Sequence, residues 1–343
     1  MHPHTLFILI VTLSCCILGR VVATSGSLYV FGDSLSDTGR LHAITLGIIP
    51  PEPYWEARFS SGPLWIEYVA LLQGIQLVNY AVGASETSNS TPDLFGLFPM
   101  PIPSTQDQIN EFVRDHGRAG DTDIAVLEIG GNNIITGLPS ILANETTVEA
   151  FTSALADTVA MQAKRLRMLG FRSVYVTNAP ALQAIPLIRL QNRVDAAAQV
   201  VDAYNRELAT RVHDASLIDI GKFMYLAISI AGVLGAKDTG SSCVGGNVLE
   251  ELFGSEKHIE AVLLRMLFDL KDTLLCDAPE DYFFWDPIHP NGRVHRLFGY
   301  YVNEFIKSQN SGVQPFAMSQ RNILSLVGKY NLTSDLVKPA QLH

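Results

Sequence analysis

Short apolar segments alternate with helix-like segments along most of the chain, and this alternation limits the folds that are open to it. The apolar segments span residues 28–31, 75–78, 124–129, 173–177 and, with a weaker pattern, 217–220. The helix-like segments between them span residues 64–72, 105–115, 148–169 and 193–212. Strands that are apolar on both faces and separated by helices are typical of parallel sheets. We therefore predict an α/β fold whose ligand binds beyond the carboxyl ends of the strands.

The composition supports a large buried core and argues against a polyanionic partner. Of the 343 residues, 48% are hydrophobic and 17% are charged, which excludes disordered, collagen-like and coiled-coil chains. The formal net charge of −10 would repel phosphate backbones and anionic membranes. We therefore expect no nucleic acid as a partner and no stable membrane insertion. The sequence has no Cys and His cluster with zinc spacing, so we expect no metal and no other cofactor.

The first 23 residues have the pattern of a signal peptide. An apolar run over residues 6–18 leads to Val21, Val22 and Ala23, which are small residues where a signal peptidase would cleave. The alternative is a membrane anchor, although the run is short for a bilayer span. We therefore predict a secreted, extracellular protein.

The cysteines and the N-glycosylation sequons agree with export. Cys243 and Cys276 are the only cysteines beyond the predicted signal peptide, and an even count in a secreted chain indicates one disulfide. Two unrelated buried thiols are the alternative. Asn89, Asn144 and Asn331 each begin an N-x-S/T pattern, which predicts glycosylation in a eukaryotic secretory route.

One domain is predicted over residues 24–309, followed by a polar extension of uncertain structure over residues 310–343. The apolar segment over residues 223–236 predicts either a buried helix or an apolar wall or lid beside the substrate. Two further helices are predicted over residues 259–270 and 290–305, because proline is tolerated in the first turn of a helix.

A serine, a histidine and a carboxylate are spaced so that a fold could bring them together. Asp286 lies three residues before His289, so a single turn can present both side chains to one side. Ser34 follows the first predicted strand, where it can act as a nucleophile or as a helix N-cap. A histidine base held by an acid is what such a nucleophile requires. The three residues therefore form a candidate catalytic triad.

Acyl transfer also needs N–H donors for the oxyanion of its intermediate. Gly83 can offer a backbone N–H to a closely approaching substrate, and Asn132, in a Gly-Gly-Asn-Asn motif, can offer a side-chain amide. Each residue, taken alone, is equally an ordinary turn residue.

These motifs, in this order, resemble the GDSL family of serine esterases and lipases, also called SGNH hydrolases. The family's marker residues match Ser34 in Gly-Asp-Ser-Leu, Gly83, Asn132 and His289 in Asp-Pro-Ile-His. The resemblance implies a flavodoxin-like three-layer α/β/α sandwich with a central parallel sheet. It further implies that Ser34 attacks the ester carbonyl, that His289 transfers the proton and that Asp286 orients His289. The oxyanion would be held by the backbone N–H groups of Ser34 and Gly83 and by the side chain of Asn132.

A further segment is similar to secreted fungal and plant members of the family, and two positions depart from the family pattern. Residues 58–65 read Arg-Phe-Ser-Ser-Gly-Pro-Leu-Trp, close to the family's RFSNGPVW. Asn133 stands where aspartate is usual, which is expected to loosen the loop that aims Asn132. Arg40 stands where asparagine is common and is expected to alter the rim of the pocket.

The resemblance leaves three hypotheses for function. The first is a secreted acetylesterase that acts on short-chain or carbohydrate acetyl esters, with Tyr54, Trp55 and Trp285 stacking on a sugar ring or simply packed in the fold. The second is a lipase or lysophospholipase, whose acyl surface would be formed by residues 94–102 and 223–236. The third is a catalytically inactive binding protein with the same fold. The expected partner is a small-molecule or oligosaccharide ester, and the pattern does not determine an oligomeric state.

Overall fold

A five-stranded parallel sheet lies at the centre of the computed structural model, which describes residues 26–88, 101–245, 275–312, 314 and 316–333. The strands are β1 (Ser27–Gly32), β2 (Gln76–Asn79), β3 (Ile124–Glu128), β4 (Ser173–Thr177) and β5 (Ser216–Ile218). Their order is β2-β1-β3-β4-β5, with every neighbouring pair parallel. This is the doubly wound order of flavodoxin. The predicted flavodoxin-like parallel sheet is therefore confirmed.

The central strands are buried on both faces, as their continuous apolar runs require. Val30 of β1 pairs with Val126 of β3, and neither side chain is exposed to solvent. The next pair, Phe31 and Leu127, is buried in the same way. The carboxyl ends of β1 and β3 therefore meet at the same edge of the sheet.

Ten helices complete the part of the fold that the structure describes. They are α1 (Arg40–Ile44), α2 (Trp65–Gln73), α3 (Thr105–His116), α4 (Gly131–Leu142), α5 (Val148–Met168), α6 (Pro186–Leu190), α7 (Val194–Arg211), α8 (Ile220–Ser229), α9 (Gly292–Ser311) and α10 (Gln320–Tyr330). One packing group joins α2, α8, α9 and α10, and a second joins α4, α5 and α7. The sheet lies between helices, as the prediction of a three-layer sandwich requires. No described helix is long and apolar enough to cross a membrane.

Two predicted boundaries are corrected by capping side chains. The predicted strand over residues 217–220 ends at Ile218, because the Asp219 side chain accepts the backbone N–H of Lys222 and begins α8. The predicted helix over residues 290–305 begins at Gly292, because the Asn291 side chain accepts the N–H groups of the next turn.

The apolar segment over residues 223–236 is the buried helix that was predicted, with a break inside it. Helix α8 ends at Ser229, and a short 3-10 helix follows over Ala231–Leu234. Phe223 and Met224 are buried.

The C-terminal extension contributes to the core. Ile323 and Leu326 of α10 are almost fully buried and join the main hydrophobic cluster. The predicted signal peptide and the predicted helix over residues 259–270 lie outside the described residues. Most of the segment over residues 94–102 lies outside them as well.

A small second sheet positions the segment that carries Asp286 and His289. Its two strands are β6 (Asp238–Ser242) and β7 (Tyr282–Phe284). Beyond β6, Cys243 forms a disulfide with Cys276, so the predicted pairing is present. The backbone N–H groups of Cys243 and Val244 donate to the carbonyl oxygens of Phe284 and Trp285 at 3.1 and 2.7 Å. The disulfide therefore lies beside the turn that follows β7.

Candidate active site

Ser34 lies at the carboxyl end of β1, in a turn that its neighbours fix. The Asp33 side chain accepts the backbone N–H of Leu35 at 3.1 Å, and the Asp33 carbonyl accepts that of Ser36 at the same distance. The backbone N–H of Ser34 makes no hydrogen bond to a described residue. Ser34 is 7% exposed and lines a pocket, so its hydroxyl can reach a bound ligand.

His289 links Ser34 to Asp286 through two short contacts. Its Nε2 lies 2.7 Å from the Ser34 Oγ, and its Nδ1 lies 2.6 Å from the Asp286 Oδ2. The other Asp286 oxygen accepts the backbone N–H groups of Ile288 and His289, each at 2.8 Å. The structure therefore brings together the three residues predicted as a triad, in the order that a serine nucleophile requires.

The surroundings of Asp286 favour its ionised form. Burial by itself raises the pKa of a carboxyl group. At Asp286, the adjacent His289 and the hydrogen bonds that the carboxylate accepts outweigh burial and lower its pKa below the usual value. An ionised Asp286 holds the proton of His289 on Nδ1, which leaves Nε2 free to accept the proton of Ser34.

Tyr54 contacts the acid of the triad through its hydroxyl group. Its hydroxyl donates to the Asp286 Oδ2 at 2.8 Å, and its ring packs edge-on against Trp285. Trp285 is 4% exposed and has no free face for stacking. Trp285 is therefore packed in the fold, the second of the two predicted alternatives, whereas a stacking role for the partly buried Tyr54 stays a prediction. Trp55 is half-buried with the Arg58 guanidinium 5.1 Å from its ring centroid, and its role in substrate binding stays a prediction.

The backbone N–H of Gly83 is already used inside the protein. It donates to the Asp37 Oδ2 at 2.7 Å, so it is not available to an oxyanion, and this corrects the predicted role. A Cβ at Gly83 would lie 2.6 Å from the Phe59 ring, and that ring lies 5.1 Å from the His289 ring between centroids. The absence of a side chain at Gly83 therefore leaves room for Phe59 to pack against His289.

The next residue, Ala84, offers the unused donor. Its φ is 62°, a left-handed conformation that L-residues adopt at a cost of about 1–2 kcal/mol. Its backbone N–H makes no hydrogen bond to a described residue. Strained backbone of this kind is concentrated at functional sites. Sequence reasoning missed Ala84, although it follows directly on a glycine chosen for the same role.

Asn132 lies in the first turn of α4 and lines the same pocket as Ser34. Its side-chain amide donates to the Ser85 carbonyl at 2.9 Å, which fixes the amide and leaves its second N–H group for a ligand. Asn133 accepts the backbone N–H of Thr87 at 3.1 Å. Asn133, which stands where aspartate is usual in the family, therefore ties α4 to the loop over residues 85–87. The expected loosening of the loop that aims Asn132 is not seen.

Arg40 lies away from the pocket that contains Ser34. Its guanidinium donates to the Tyr80 carbonyl at 2.7 Å and to both Glu111 carboxylate oxygens at 2.8 and 2.9 Å. These contacts hold α1 against α3. The structure therefore contradicts the expectation that Arg40 forms part of the pocket rim.

Behind the nucleophile lies a buried acid pair that sequence reasoning missed. Asp33 is 3% exposed and Glu128, at the end of β3, is 1% exposed. Burial raises the pKa of Asp33 to about 6, and burial together with the charge of Asp33 raises the pKa of Glu128 well above its usual value. The Ser36 hydroxyl donates to the Glu128 Oε2 at 3.0 Å. The signal in the sequence was one acid at the end of an otherwise apolar strand.

The pocket beside Ser34 is small and mostly apolar, with a volume of about 40 Å³. Helices α8 and α9 and the segment after β4 supply half of the residues that line it. The apolar side chains that line it include Leu182, Ile185, Ile220, Phe223, Met224, Val294 and Phe298. The carboxyl ends of the strands therefore open onto an apolar binding site, as the fold predicts.

Among the described residues, no group of three or more His, Cys, Asp or Glu side chains is placed to hold a metal ion. Asn144 and Asn331 are exposed, and Asn89 lies outside the described residues. Glycosylation of these three residues stays a prediction.

The family model described as GDSL-like lipase/acylhydrolase matches residues 28–302. The chain belongs to this family. It is therefore a carboxylic-ester hydrolase, as the sequence motifs predicted.

Two curated relatives are similar to the chain over most of its length. Phosphatidylcholine-sterol acyltransferase of Aeromonas hydrophila is 25% identical, with 86% of this chain and 96% of the relative aligned. Acetylajmalan esterase 2 of Rauvolfia serpentina is 22% identical, with 84% and 92% aligned. Among solved structures, a carbohydrate acetylesterase from Sinorhizobium meliloti is 13% identical, covers 83% of this GDSL hydrolase and 99% of its own chain, and has a TM-score of 0.42.

Proposed function

We propose that this GDSL-family hydrolase is a secreted enzyme that cleaves short-chain carboxylic esters, including acetyl esters of carbohydrates, with Ser34 as the nucleophile. The observation that carries the proposal is the continuous chain of contacts from Ser34 through His289 to Asp286. If the protein were catalytically inactive, we would expect one of these three groups to be missing. All three are present and in contact.

In the proposed reaction, the Ser34 Oγ forms a bond to the ester carbonyl carbon while its proton moves to the His289 Nε2. The resulting oxyanion accepts hydrogen bonds from the backbone N–H groups of Ser34 and Ala84 and from the Asn132 amide. The C–O bond to the alcohol then breaks, and His289 returns the proton to the leaving alcohol. Water, activated by the same histidine, hydrolyses the acyl-enzyme and restores Ser34.

The packing of the pocket wall supports a short acyl group. The Phe223 and Phe298 rings, which both line the pocket, lie 4.6 Å apart between centroids and close the space between α8 and α9. The walls are apolar, which favours an alkyl chain over a charged group. Acetylajmalan esterase 2, a relative over most of the chain, carries an acetyl ester in its name.

The apolar wall also favours a second candidate, hydrolysis of longer acyl esters by a lipase or lysophospholipase. Phe223 and Met224 begin the apolar segment over residues 223–236, and both line the pocket. A long acyl chain would need the pocket to widen between α8 and α9, whose Phe223 and Phe298 rings pack 4.6 Å apart. The tight packing makes the short-chain assignment the better one.

Export is supported by the disulfide between Cys243 and Cys276, because disulfides persist in oxidising compartments. The proposal of secretion is tested by expressing the full chain in a eukaryotic host and sequencing the N-terminus of the protein in the medium. A mature protein that begins at Thr24 supports it, whereas a full-length chain retained in the membrane fraction contradicts it.

The catalytic proposal is tested by expressing the chain from Thr24 and measuring hydrolysis of p-nitrophenyl acetate, butyrate and palmitate. Ser34→Ala should lose most of the activity, whereas Ser325→Ala, which changes an exposed serine on α10, should retain it. Faster turnover of acetate or butyrate supports the short-chain assignment, and faster turnover of palmitate supports the lipase. Full activity in Ser34→Ala would contradict the mechanism.

A further inference from the structure

A glutamine side chain from α3 joins the two segments that carry the proposed backbone donors to the oxyanion. Gln108 is fully buried, its Oε1 accepts the backbone N–H of Gly32 at 2.8 Å, and its Nε2 donates to the Gly32 carbonyl at 2.9 Å. The same Nε2 donates to the Ser85 Oγ at 3.0 Å. Gly32 lies two residues before Ser34, and Ser85 directly follows Ala84. The Gln108 amide therefore connects the nucleophile turn to the loop that offers the second donor.

The amide of Gln108 takes the place of a strand residue beside the end of β1. The register of β1 with β2 ends at the pair formed by Val30 and Asn79. Gly32 lies beyond this pair and is buried, and a buried backbone N–H needs a partner. A side-chain amide carries the same kinds of donor and acceptor as a peptide group. Gln108 therefore extends the pairing of β1 to Gly32, next to the turn that carries the nucleophile.

Ser85 connects Gln108 to the third proposed donor. The Ser85 carbonyl accepts the Asn132 side-chain amide at 2.9 Å, and the Ser85 hydroxyl donates to the Pro103 carbonyl at 2.7 Å. Ser85 has no exposed surface, so water does not compete for these hydrogen bonds. Through Gly32 and Ser85, the side chain of Gln108 thus holds the segments of all three donors in one buried network.

We infer that Gln108 is a positioning residue that sets the spacing of the three proposed oxyanion donors. This inference rests on the proposed function, because it assumes that these donors hold the oxyanion formed from an ester. Gln108 is not among the described residues that line the Ser34 pocket, so it acts through the segments that it holds. A misplacement of about 1 Å can lower the rate of an enzyme about a hundredfold. Loss of the Gln108 amide should therefore impair the formation of the tetrahedral intermediate.

Gln108→Met and Gln162→Met form a matched pair of variants, because each replaces a buried glutamine by an apolar side chain of similar length. The Gln162 amide donates to the Thr87 carbonyl at 2.6 Å and accepts the Thr105 hydroxyl at 2.7 Å. It makes no hydrogen bond to the two residues that the Gln108 amide joins. Both variants should lose thermal stability, but only Gln108→Met should lower kcat/KM for p-nitrophenyl butyrate, by about ten- to a hundredfold per folded enzyme.

Inhibition by propylboronic acid separates a positioning role from a role in packing alone. The trigonal boron bonds to the Ser34 Oγ, the Ser34 proton moves to His289, and the boron becomes tetrahedral with a negative charge. The adduct resembles the tetrahedral intermediate and depends on the same donors. The inhibition constant should rise in Gln108→Met by about the factor by which kcat/KM falls, and it should equal that of the parent in Gln162→Met. It does not depend on the fraction of enzyme that is folded.

Ser85→Ala tests the inference if Gln108→Met does not fold, because it removes one hydrogen bond of the Gln108 amide and keeps the two to Gly32. Its inhibition constant should rise about three- to tenfold, as expected for one net hydrogen bond. An inhibition constant equal to that of the parent, in folded Gln108→Met or in Ser85→Ala, overturns the inference. An equal rise in Gln162→Met also overturns it and assigns the effect to packing. Hydrolysis that persists in Ser34→Ala overturns the proposed function and the inference with it.

Discussion

The Tyr54 hydroxyl and the His289 ring meet at one oxygen atom of the acid between them. The Asp286 Oδ2 lies 2.8 Å from the Tyr54 hydroxyl and 2.6 Å from the His289 Nδ1. Burial, reinforced by the charge of Asp286, raises the pKa of Tyr54 well above its usual value, so the phenol stays a donor. Tyr54 thereby fixes the carboxylate that orients the base.

Tyr54→Phe should lower kcat by about tenfold with a small change in KM, because a hydrogen bond to a charged group contributes about 1.5–3 kcal/mol. Steady-state kinetics on p-nitrophenyl acetate checks this. Tyr80→Phe is the matched control, since Tyr80 makes a hydrogen bond of the same length, 2.8 Å, to Asp115 outside the pocket. An equal kcat in Tyr54→Phe and the parent would show that Asp286 is held without the phenol.

Gly83→Ala should destabilise the protein by about 1–3 kcal/mol, as overpacking of a core does. The new Cβ would meet the Phe59 ring at 2.6 Å and the Leu41 Cδ2 at 2.8 Å, and Phe59 would move away from His289. We expect a lower midpoint of thermal unfolding and a lower kcat. Gly328→Ala on α10, where nothing lies within 4 Å, should leave both unchanged or raise the midpoint.

The double substitution Gly83→Ala with Phe59→Leu distinguishes packing from donation at Gly83. If Phe59 is the obstacle, the smaller side chain should restore part of the thermal midpoint. Alanine keeps the backbone N–H, so a role for Gly83 as a donor alone predicts no loss in the single variant.

Glu128→Gln should make the stability less dependent on pH. In the parent, burial and the charge of Asp33 raise the pKa of Glu128, so the folded state keeps a proton that the unfolded chain releases above its ordinary pKa of 4.5. The free energy of unfolding therefore falls as the pH rises from about 4.5 toward the folded pKa. Glutamine has no proton to release, so the difference in thermal midpoint, variant minus parent, should increase between pH 5 and pH 8.

Thermal unfolding at several pH values measures this difference. Glu145→Gln, which removes an exposed acid, should show a difference that stays nearly constant with pH. If the thermal midpoints of Glu128→Gln and of the parent change equally with pH, Glu128 is ionised in the folded protein.

Replacing Cys243 and Cys276 by serine together should destabilise the protein by about 3–4 kcal/mol, the value expected for opening a loop with a sequence separation of 33. The backbone N–H groups of Cys243 and Val244 donate to the two carbonyl groups that precede Asp286. Loss of the disulfide should therefore displace Asp286, and kcat should fall as well. Denaturant unfolding and esterase kinetics on the double variant measure both effects. Reduction of the parent should reproduce them, and a parent unaffected by reduction would contradict the stabilising role.

Much of the fold and of the triad was predictable because the signals are local or chemically distinctive. Five apolar runs became five parallel strands, and the three-residue spacing of Asp286 and His289 is the spacing of one turn. The donors around the oxyanion were less predictable. Gly83 and Ala84 are neighbours in the sequence, but only the N–H of Ala84 is available to an oxyanion. The N–H of Gly83 is used because Asp37, 46 positions away, accepts it. No local pattern contains that information.

The same reason explains why the contact of Tyr54 with Asp286 was not predicted and why Glu128 was missed. Tyr54 reaches Asp286 across 232 positions, and its sequence context suits an aromatic ring offered to a sugar equally well. Glu128 and Asp33 end two strands that only the sheet makes adjacent, through the pairing of Gly32 with Glu128. Side chains that act on one another through tertiary contacts have to be seen in the structure.

Ser34 and His289 lie 255 positions apart, one beyond the first strand and the other just before the ninth helix. During synthesis the nucleophile leaves the ribosome long before its base. The edge of β1 that pairs with β3 stays unpaired until β3 has been made. The growing chain therefore carries an unactivated serine for most of its translation. The appearance of esterase activity can therefore report when folding is complete, because activity requires Ser34 and His289 to be in contact.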